Sequence, residues 1–127
     1  MYAIGAYCFY AGYAGKVPAG TEMVIIETSI FTRRVLQLLA DEEYRKLQAA
    51  LVNRPEAGAI IRGSGGLRKV RWVGSGRGKR GGVRIIYYWA AEQAQLLMLF
   101  IFAKNERDDL SPDQVKMLRT IVEDDYP

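Results

Sequence analysis

The sequence predicts a single-domain α+β fold in which helices pack on one face of an antiparallel sheet. Its 127 residues, half of them hydrophobic, are enough for one domain with one modest core. Two segments with helical apolar spacing precede three strand-like runs, and a further helical segment ends the chain. With a short strand in front, the predicted element order is β-α-α-β-β-β-α.

The first half of the chain predicts β-α-α. Residues 23–26 are apolar and β-branched, as in a short strand. Thr28 or Ser29 can cap the helix that follows, because either hydroxyl can accept a hydrogen bond from the first turn. Asp41 can cap a second helix, which ends before Pro55. The apolar faces of these helices consist of Phe31, Val35, Leu38, Leu39, Tyr44, Leu47, Ala50 and Leu51.

The second half predicts an antiparallel meander followed by a helix. Residues 67–73, 83–89 and 96–103 are rich in β-branched and aromatic residues. A glycine-rich loop separates the first two runs, and a tight turn at residues 91–93 separates the last two. Ser111 and Gln114 then form a capping box with proline at the first helical position. The helix behind it has an apolar face of Val115, Leu118, Ile121 and Val122.

The N-terminal segment differs from the remainder of the chain. Residues 1–22 are dominated by small residues and tyrosines and show no apolar period. They lack the positively charged start and the pure apolar run of a secretory signal. We therefore expect a flexible extension over residues 1–22 and one functional domain over residues 23–127.

The composition excludes several classes of function. The chain has no histidine, which removes the commonest general base, every histidine-containing triad and the HExxH zinc motif. The single cysteine, Cys8, cannot form an internal disulfide and indicates a reducing compartment, so we expect a cytoplasmic protein. No run reaches the roughly 18 uninterrupted apolar residues of a membrane span. We expect no membrane association, no metal and no cofactor.

The positive charge of the chain is concentrated in one stretch. Residues 58–91 contain eight cations and no Asp or Glu. The chain has 18 Lys and Arg against 14 Asp and Glu, so the remainder has 10 against 14 and is acidic. Such local basicity favours a polyanion site over a generally basic coat. The cations are Arg62, Arg68, Lys69, Arg71, Arg77, Lys79, Arg80 and Arg84.

Strand alternation sorts these cations onto faces of the sheet. Lys69 and Arg71 point to one side of their strand, whereas Val70 and Trp72 point to the core. Arg84 opens the next strand and can join them across the pair. Tyr88 lies on the same face as Arg84 and can stack on a base, although core packing is the more frequent fate of such an aromatic. A merely solvated face is the alternative for the cations, but random surface charge would be mixed in sign.

The loop at residues 74–82 resembles a phosphate cradle without matching one. A Walker loop requires a different glycine spacing, a hydroxyl residue where Arg80 stands and a helix behind it. The dinucleotide pattern fails as well, because Lys79 occupies the place of its third glycine. Two interpretations stay open: a basic flap that closes on a nucleic-acid backbone, and a mobile hairpin loop.

Three motifs together resemble HigB-type toxins of the RelE superfamily. They are Gly65-Gly66-Leu67-Arg68-Lys69-Val70-Arg71, the run from Gly78-Lys79-Arg80 to Tyr87-Tyr88, and Phe102-Ala103-Lys104-Asn105-Glu106. The resemblance covers residues 24–124 and implies the RelE-like fold. It also implies the toxin of a type II toxin-antitoxin pair, a metal-independent endoribonuclease that cuts messenger RNA in the ribosomal A site. The implied partner is a HigA-type helix-turn-helix antitoxin. The toxin would contact operator DNA only through this antitoxin.

The resemblance also assigns roles to residues. In such cleavage the neighbouring 2′-hydroxyl attacks the phosphate, so a base, a phosphate clamp and a leaving-group acid are needed. Lys69 corresponds to the base or proton relay, and Arg71 and Arg84 to the phosphate clamp. RelE-type toxins have an arginine where this chain has Asn105 and a tyrosine where it has Ser111. The leaving-group acid therefore stays open between Lys104, Arg84 and Tyr88. The expected RNA-binding residues are Arg68, Arg77, Lys79, Arg80, Tyr88 and Asn105.

Two other functions compete with this interpretation. In a non-catalytic RNA-binding or ribosome-binding module, the same cations would only hold phosphate. A DNA-binding regulator would place a basic helix in the major groove, but here the cations lie on strands and a loop. The final helix mixes Lys116 and Arg119 with several acids and is a poor groove reader.

Overall fold

A computed structural model describes residues 3–10, 22–73, 82–107 and 109–126, with side chains described from residue 22 onward. The described elements are β1 (Ala3–Tyr10), β2 (Glu22–Thr28), α1 (Ser29–Leu38), α2 (Asp41–Asn53), β3 (Ala59–Ile60), β4 (Leu67–Trp72), β5 (Val83–Ala90), β6 (Gln95–Ala103) and α3 (Pro112–Asp125). The predicted α+β class is confirmed, as is the order of the seven predicted elements. The structure adds β1 and β3.

The helix ends follow from capping chemistry. Thr28 caps α1, because its hydroxyl accepts a hydrogen bond of 3.2 Å from the Phe31 N–H. Ser111 and Gln114 form both hydrogen bonds of the predicted capping box at the start of α3. At α2 the prediction differs from the structure. Asp41 is the first helical residue there and does not cap the helix. With its acidic neighbours in the first turn it interacts favourably with the positive end of the helix dipole.

The six described strands form one sheet in the order β1-β2-β6-β5-β4-β3. The predicted antiparallel meander is β4-β5-β6, and every other neighbouring pair is antiparallel except β2 with β6, which is parallel. β1 pairs with β2 over residues where the sequence predicted a flexible extension. The domain boundary at residue 23 stays a prediction.

The sheet is covered on both faces, whereas the sequence predicted helices on one face only. On the first face, Phe31 of α1 and Leu47 of α2 pack against Ile85 and Tyr87 of β5. On the second face, Leu118 of α3 packs with residues that include Ile86. Because neighbouring residues of β5 point to opposite sides, α3 lies on the face opposite to α1 and α2. This second face also carries the cations.

Candidate active site

The cations on β4 and β5 form a cluster on the second face, at the end of the sheet where β4 ends and β5 begins. Arg71 lies directly opposite Arg84 in the strand pair, and Lys69 lies opposite Ile86. Val70 and Trp72 pack against the core on the other face, so the predicted alternation is confirmed. Like charges directly opposite each other destabilise a sheet. The direct pairing of Arg71 with Arg84 therefore favours a surface that binds an anion.

Lys69 has a specific acidic partner. Its ammonium Nζ lies 3.1 Å from Oδ2 of Asp109, in the segment between β6 and α3. Partial burial opposes ionisation of this carboxyl, but hydrogen bonds from the Leu110 N–H and from Lys69 outweigh it and lower the pKa of Asp109. Solvent screens the pair mainly from the carboxylate side, since 59% of the Asp109 side chain and 30% of the Lys69 side chain are exposed. Asp109 was not among the predicted site residues, because its contact with Lys69 spans distant parts of the chain.

A groove of about 630 Å³ lies beside this ion pair. One wall is formed by residues 59–63 at the β3 edge of the sheet, and the other by Leu110, Pro112 and Val115 around the start of α3. Lys69 and Asp109 both line it. The groove therefore gives an extended ligand access to the Lys69 ammonium.

The predicted residues Lys104 and Asn105 lie in the turn after β6, and both are exposed. The Lys104 N–H donates a hydrogen bond of 3.1 Å to the Gly82 carbonyl at the start of β5. Because Arg84 pairs with Phe102 just before this turn, Lys104 and Asn105 lie at the same end of the sheet as the arginines. Lys69, Arg71, Arg84 and the 104–105 turn are thus brought together, and this set is called the cationic site below.

Two other predicted RNA-binding residues, Arg68 and Tyr88, lie outside the cationic site. Arg68 points to the first face and donates hydrogen bonds to the carbonyls of Glu56 (3.2 Å) and Gly58 (2.8 Å), which hold the loop after α2. Tyr88 packs in the apolar cluster under α3, with its ring 5.5 Å from that of Tyr126. Arg77, Lys79 and Arg80 lie outside the described residues.

The cationic site has donors for an anion but shows no metal-binding cluster. Among the residues that the structure describes, no group of three or more Cys, Asp or Glu side chains could hold a metal ion. Arginine fits phosphate well because its planar fork can donate two parallel hydrogen bonds. Across the same described residues, no helix is long and apolar enough to cross a membrane.

A comparison with protein families identifies the class of protein to which this architecture belongs. Residues 23–125 match the family described as RelE toxin of RelE / RelB toxin-antitoxin system. The chain therefore belongs to the RelE toxin family, and membership implies a cognate antitoxin.

A comparison with solved structures supports the same fold. The chain is similar to a double arginine mutant of the E. coli toxin RelE in its free state, with a TM-score of 0.51 and 14% sequence identity. The match covers 76% of this chain and 93% of the RelE chain. At this identity the likeness concerns the fold alone. The match to the RelE family and fold confirms the superfamily part of the sequence prediction, while the HigB subtype stays a prediction.

Proposed function

We propose that this toxin is an endoribonuclease that cleaves messenger RNA on the ribosome by attack of the 2′-hydroxyl on the neighbouring phosphate. The observation that carries the proposal is the direct pairing of Arg71 with Arg84 next to Lys69, which itself lines a groove large enough for a nucleotide. Family membership supports ribonuclease chemistry in general. The HigB subtype and a HigA-type antitoxin are part of the same proposal.

The chemistry divides among the residues by what each can do. The two arginines hold the scissile phosphate and stabilise the charge that builds up on its oxygens as five-coordinate phosphorus forms. Lys69 in its neutral amine form takes the proton of the 2′-hydroxyl as that oxygen attacks the phosphorus. Asp109, whose carboxylate lies 3.1 Å from the Lys69 Nζ, holds the lysine side chain in place. Lys104 protonates the leaving 5′-oxygen. The products are a 2′,3′-cyclic phosphate and a 5′-hydroxyl. In this proposal the arginines and lysines supply the charge stabilisation and the proton transfers, and no metal or cofactor takes part.

The test is cleavage of a reporter messenger RNA in a defined translation reaction, with break sites mapped by primer extension, with and without ribosomes. Arg84→Ala is expected to lower the rate by about 10² to 10³, the usual loss for one electrostatic contact to a transition state. Arg119→Ala is the control, because it removes an arginine of α3 that pairs with Glu123 and is not part of the cationic site. Its cleavage rate should equal that of the wild type.

A second candidate function is a non-catalytic RNA-binding module. One observation favours it: the proposed base Lys69 is already paired with a carboxylate, an arrangement that a purely binding surface tolerates. Intact message together with salt-sensitive RNA binding would establish this alternative and overturn the nuclease proposal. Cleavage without ribosomes would overturn only the ribosome dependence.

A further inference from the structure

Arg34 of α1 reaches the end of β6, in contact with three different groups. Its Nε donates a hydrogen bond of 2.7 Å to the Ile101 carbonyl, and its guanidinium carbon lies 4.9 Å from the centre of the Phe100 ring. Its terminal nitrogen Nη2 contacts both carboxylate oxygens of Glu106, at 2.6 and 2.7 Å. The side chain is only 26% exposed, so these contacts fix its direction.

Glu106 connects this arginine to the turn after β6. Its Oε1 also accepts a hydrogen bond of 3.3 Å from the Ala103 N–H, and its own N–H donates to the Ala103 carbonyl at 3.0 Å. The Glu106 carboxylate therefore links the end of the turn to its beginning at Ala103. The hydrogen bond from Arg34 is the main cause that lowers the pKa of Glu106, so the group is ionised at neutral pH.

Lys104 and Asn105 lie between the two anchors of this turn. On one side the Lys104 N–H is bound to the Gly82 carbonyl of the β5 end, and on the other Glu106 is bound to Arg34. Both side chains between the anchors are exposed. The backbone that carries them is thus held while their side chains point to solvent.

We propose that Arg34 and Glu106 are positioning residues, which hold the 104–106 turn so that Lys104 and Asn105 meet the RNA bound by the cationic site. The inference rests on the proposed function, in which Lys104 and Asn105 act on RNA. In this role Arg34 and Glu106 act on the turn and not on the RNA itself. Their effect reaches it through the turn, and a small displacement of a catalytic group is enough to lower a rate greatly.

The geometry distinguishes this pair from an ordinary surface ion pair. Arg119 and Glu123 are one turn apart on α3, at 2.9 Å, and exposed pairs of that kind contribute little to stability. Arg34 and Glu106 are far apart in sequence, and each makes further hydrogen bonds to the backbone of the β6 end. A lysine at position 34 keeps the charge but cannot reproduce these contacts, because it lacks the planar fork.

The experiment is a double-mutant cycle. Arg34→Lys and Glu106→Gln are each made in the wild type and in the Lys104→Ala/Asn105→Ala variant, and single-turnover cleavage and RNA affinity are measured for all of them. In the wild-type background each change is expected to lower the cleavage rate about tenfold or more, whereas in the double-alanine background the loss should be under about twofold. Arg119→Lys is the matched control and should change neither quantity. Melting curves show that each variant is folded.

The outcomes separate the two proposals. Equal losses in both backgrounds would mean that the pair serves the fold alone, and no loss in the wild type would equally overturn the positioning role. If the wild-type chain binds RNA without cleaving it, the nuclease proposal fails, and the same cycle run on RNA affinity decides the role of Arg34 and Glu106. If it neither binds nor cleaves RNA, both proposals are overturned.

Discussion

The two faces of the β4–β5 pair differ sharply although the same strands build both. On the first face, Val70 and Trp72 alternate into a core that α1 and α2 cover. On the second face, Lys69 and Arg71 alternate with these two residues along β4. Leu67, on the same face, is buried in a cluster that includes residues of α3. The first face is thus mainly apolar along this strand pair, with Arg68 as the charged residue of β4 on that side. The second face changes from apolar to cationic along β4.

This difference separates stability from function. Apolar residues on the first face are buried, and their removal costs transfer and cavity energy. The cations on the second face lie close to one another and repel. Without a bound anion this arrangement does not stabilise the fold. First-face variants should therefore change the free energy of unfolding, and cationic-site variants should change RNA binding and cleavage. The following predictions test this separation, beginning with the largest expected effect.

Gly82→Ala should lower both the stability of the fold and the cleavage activity. Gly82 has φ +69°, and a Cβ there would lie 2.2 Å from the Trp72 carbonyl oxygen, which is backbone and cannot move aside. The strand pair that places Arg71 opposite Arg84 must then shift, at a cost of about 2 to 5 kcal/mol in the free energy of unfolding. Urea denaturation measures the loss of stability, and the cleavage assay measures the loss of activity.

Gly63→Ala is the matched control for this change. Gly63 has a similar φ of +73°, but nothing lies within 4 Å of its Cβ position. Only the conformational penalty of about 1 kcal/mol is expected there. Equal destabilisation by the two substitutions would show that contact with Trp72 is unimportant.

Tyr87→Phe should destabilise the fold and leave RNA binding unchanged. The buried Tyr87 hydroxyl accepts a hydrogen bond of 2.8 Å from the Gly58 N–H and donates one of 2.7 Å to the Pro55 carbonyl. Without the hydroxyl both backbone groups lose their partner, at a cost of about 1 to 3 kcal/mol. Denaturation and RNA titration measure the two quantities, and a loss of affinity in the folded variant would contradict the separation of the faces.

The same residue predicts a dependence on alkaline pH. Burial is the main cause that raises the pKa of Tyr87 above its usual value of 10.0. The unfolded chain therefore ionises first, so the stabilising contribution is complete below about pH 10 and is lost as pH rises through the higher folded pKa. The stability of the wild type should fall more steeply above pH 10 than that of Tyr87→Phe. Parallel curves would contradict this assignment.

Arg71→Ala should have the opposite effect to Tyr87→Phe. Arg71 is exposed, and its removal relieves the repulsion with Arg84, so stability should stay within about 0.5 kcal/mol of the wild type. The slope of log affinity against log salt for single-stranded RNA should fall by about 0.7, the contribution of one phosphate contact. An unchanged salt slope would remove Arg71 from the RNA-binding surface.

Asp109→Asn should have the smallest effect. Because the pKa of Asp109 is lowered in the fold, its contribution to stability is present above its unfolded value near 4 and is lost as pH falls through the folded pKa. The carboxylate is largely exposed, so the difference between wild type and variant at neutral pH should stay under about 0.5 kcal/mol. Acid denaturation compares the two. The variant should also bind RNA more tightly, since Lys69 no longer has a competing anion.

Local chemistry determined much of the fold from the sequence. The capping box at Ser111 and the alternation of Lys69 and Arg71 with Val70 and Trp72 depend on residues within a few positions of one another, and the structure has both. The order of helices and meander follows from the same short-range periods. Arg71 and Arg84 also met as expected, because consecutive strands of a meander usually pair.

Other features depend on long-range contacts and were decided only by the tertiary structure. β1 has small residues without a clear alternation, and β3 has two residues, so neither gives a local signal. The parallel pairing of β2 with β6 joins distant segments.

The contacts of α3 and the two ion pairs have the same origin. From the sequence alone, the apolar stripe of α3 could pack on either face of the sheet. In the structure the chain after β6 leads α3 to the second face. The pairs Lys69–Asp109 and Arg34–Glu106 need two loops and a helix to be in place first. The sequence by itself determined which elements form and which residues share a face. Only the packed chain decided which carboxylates stand beside the cations, because the strength of an ion pair depends on distance in space.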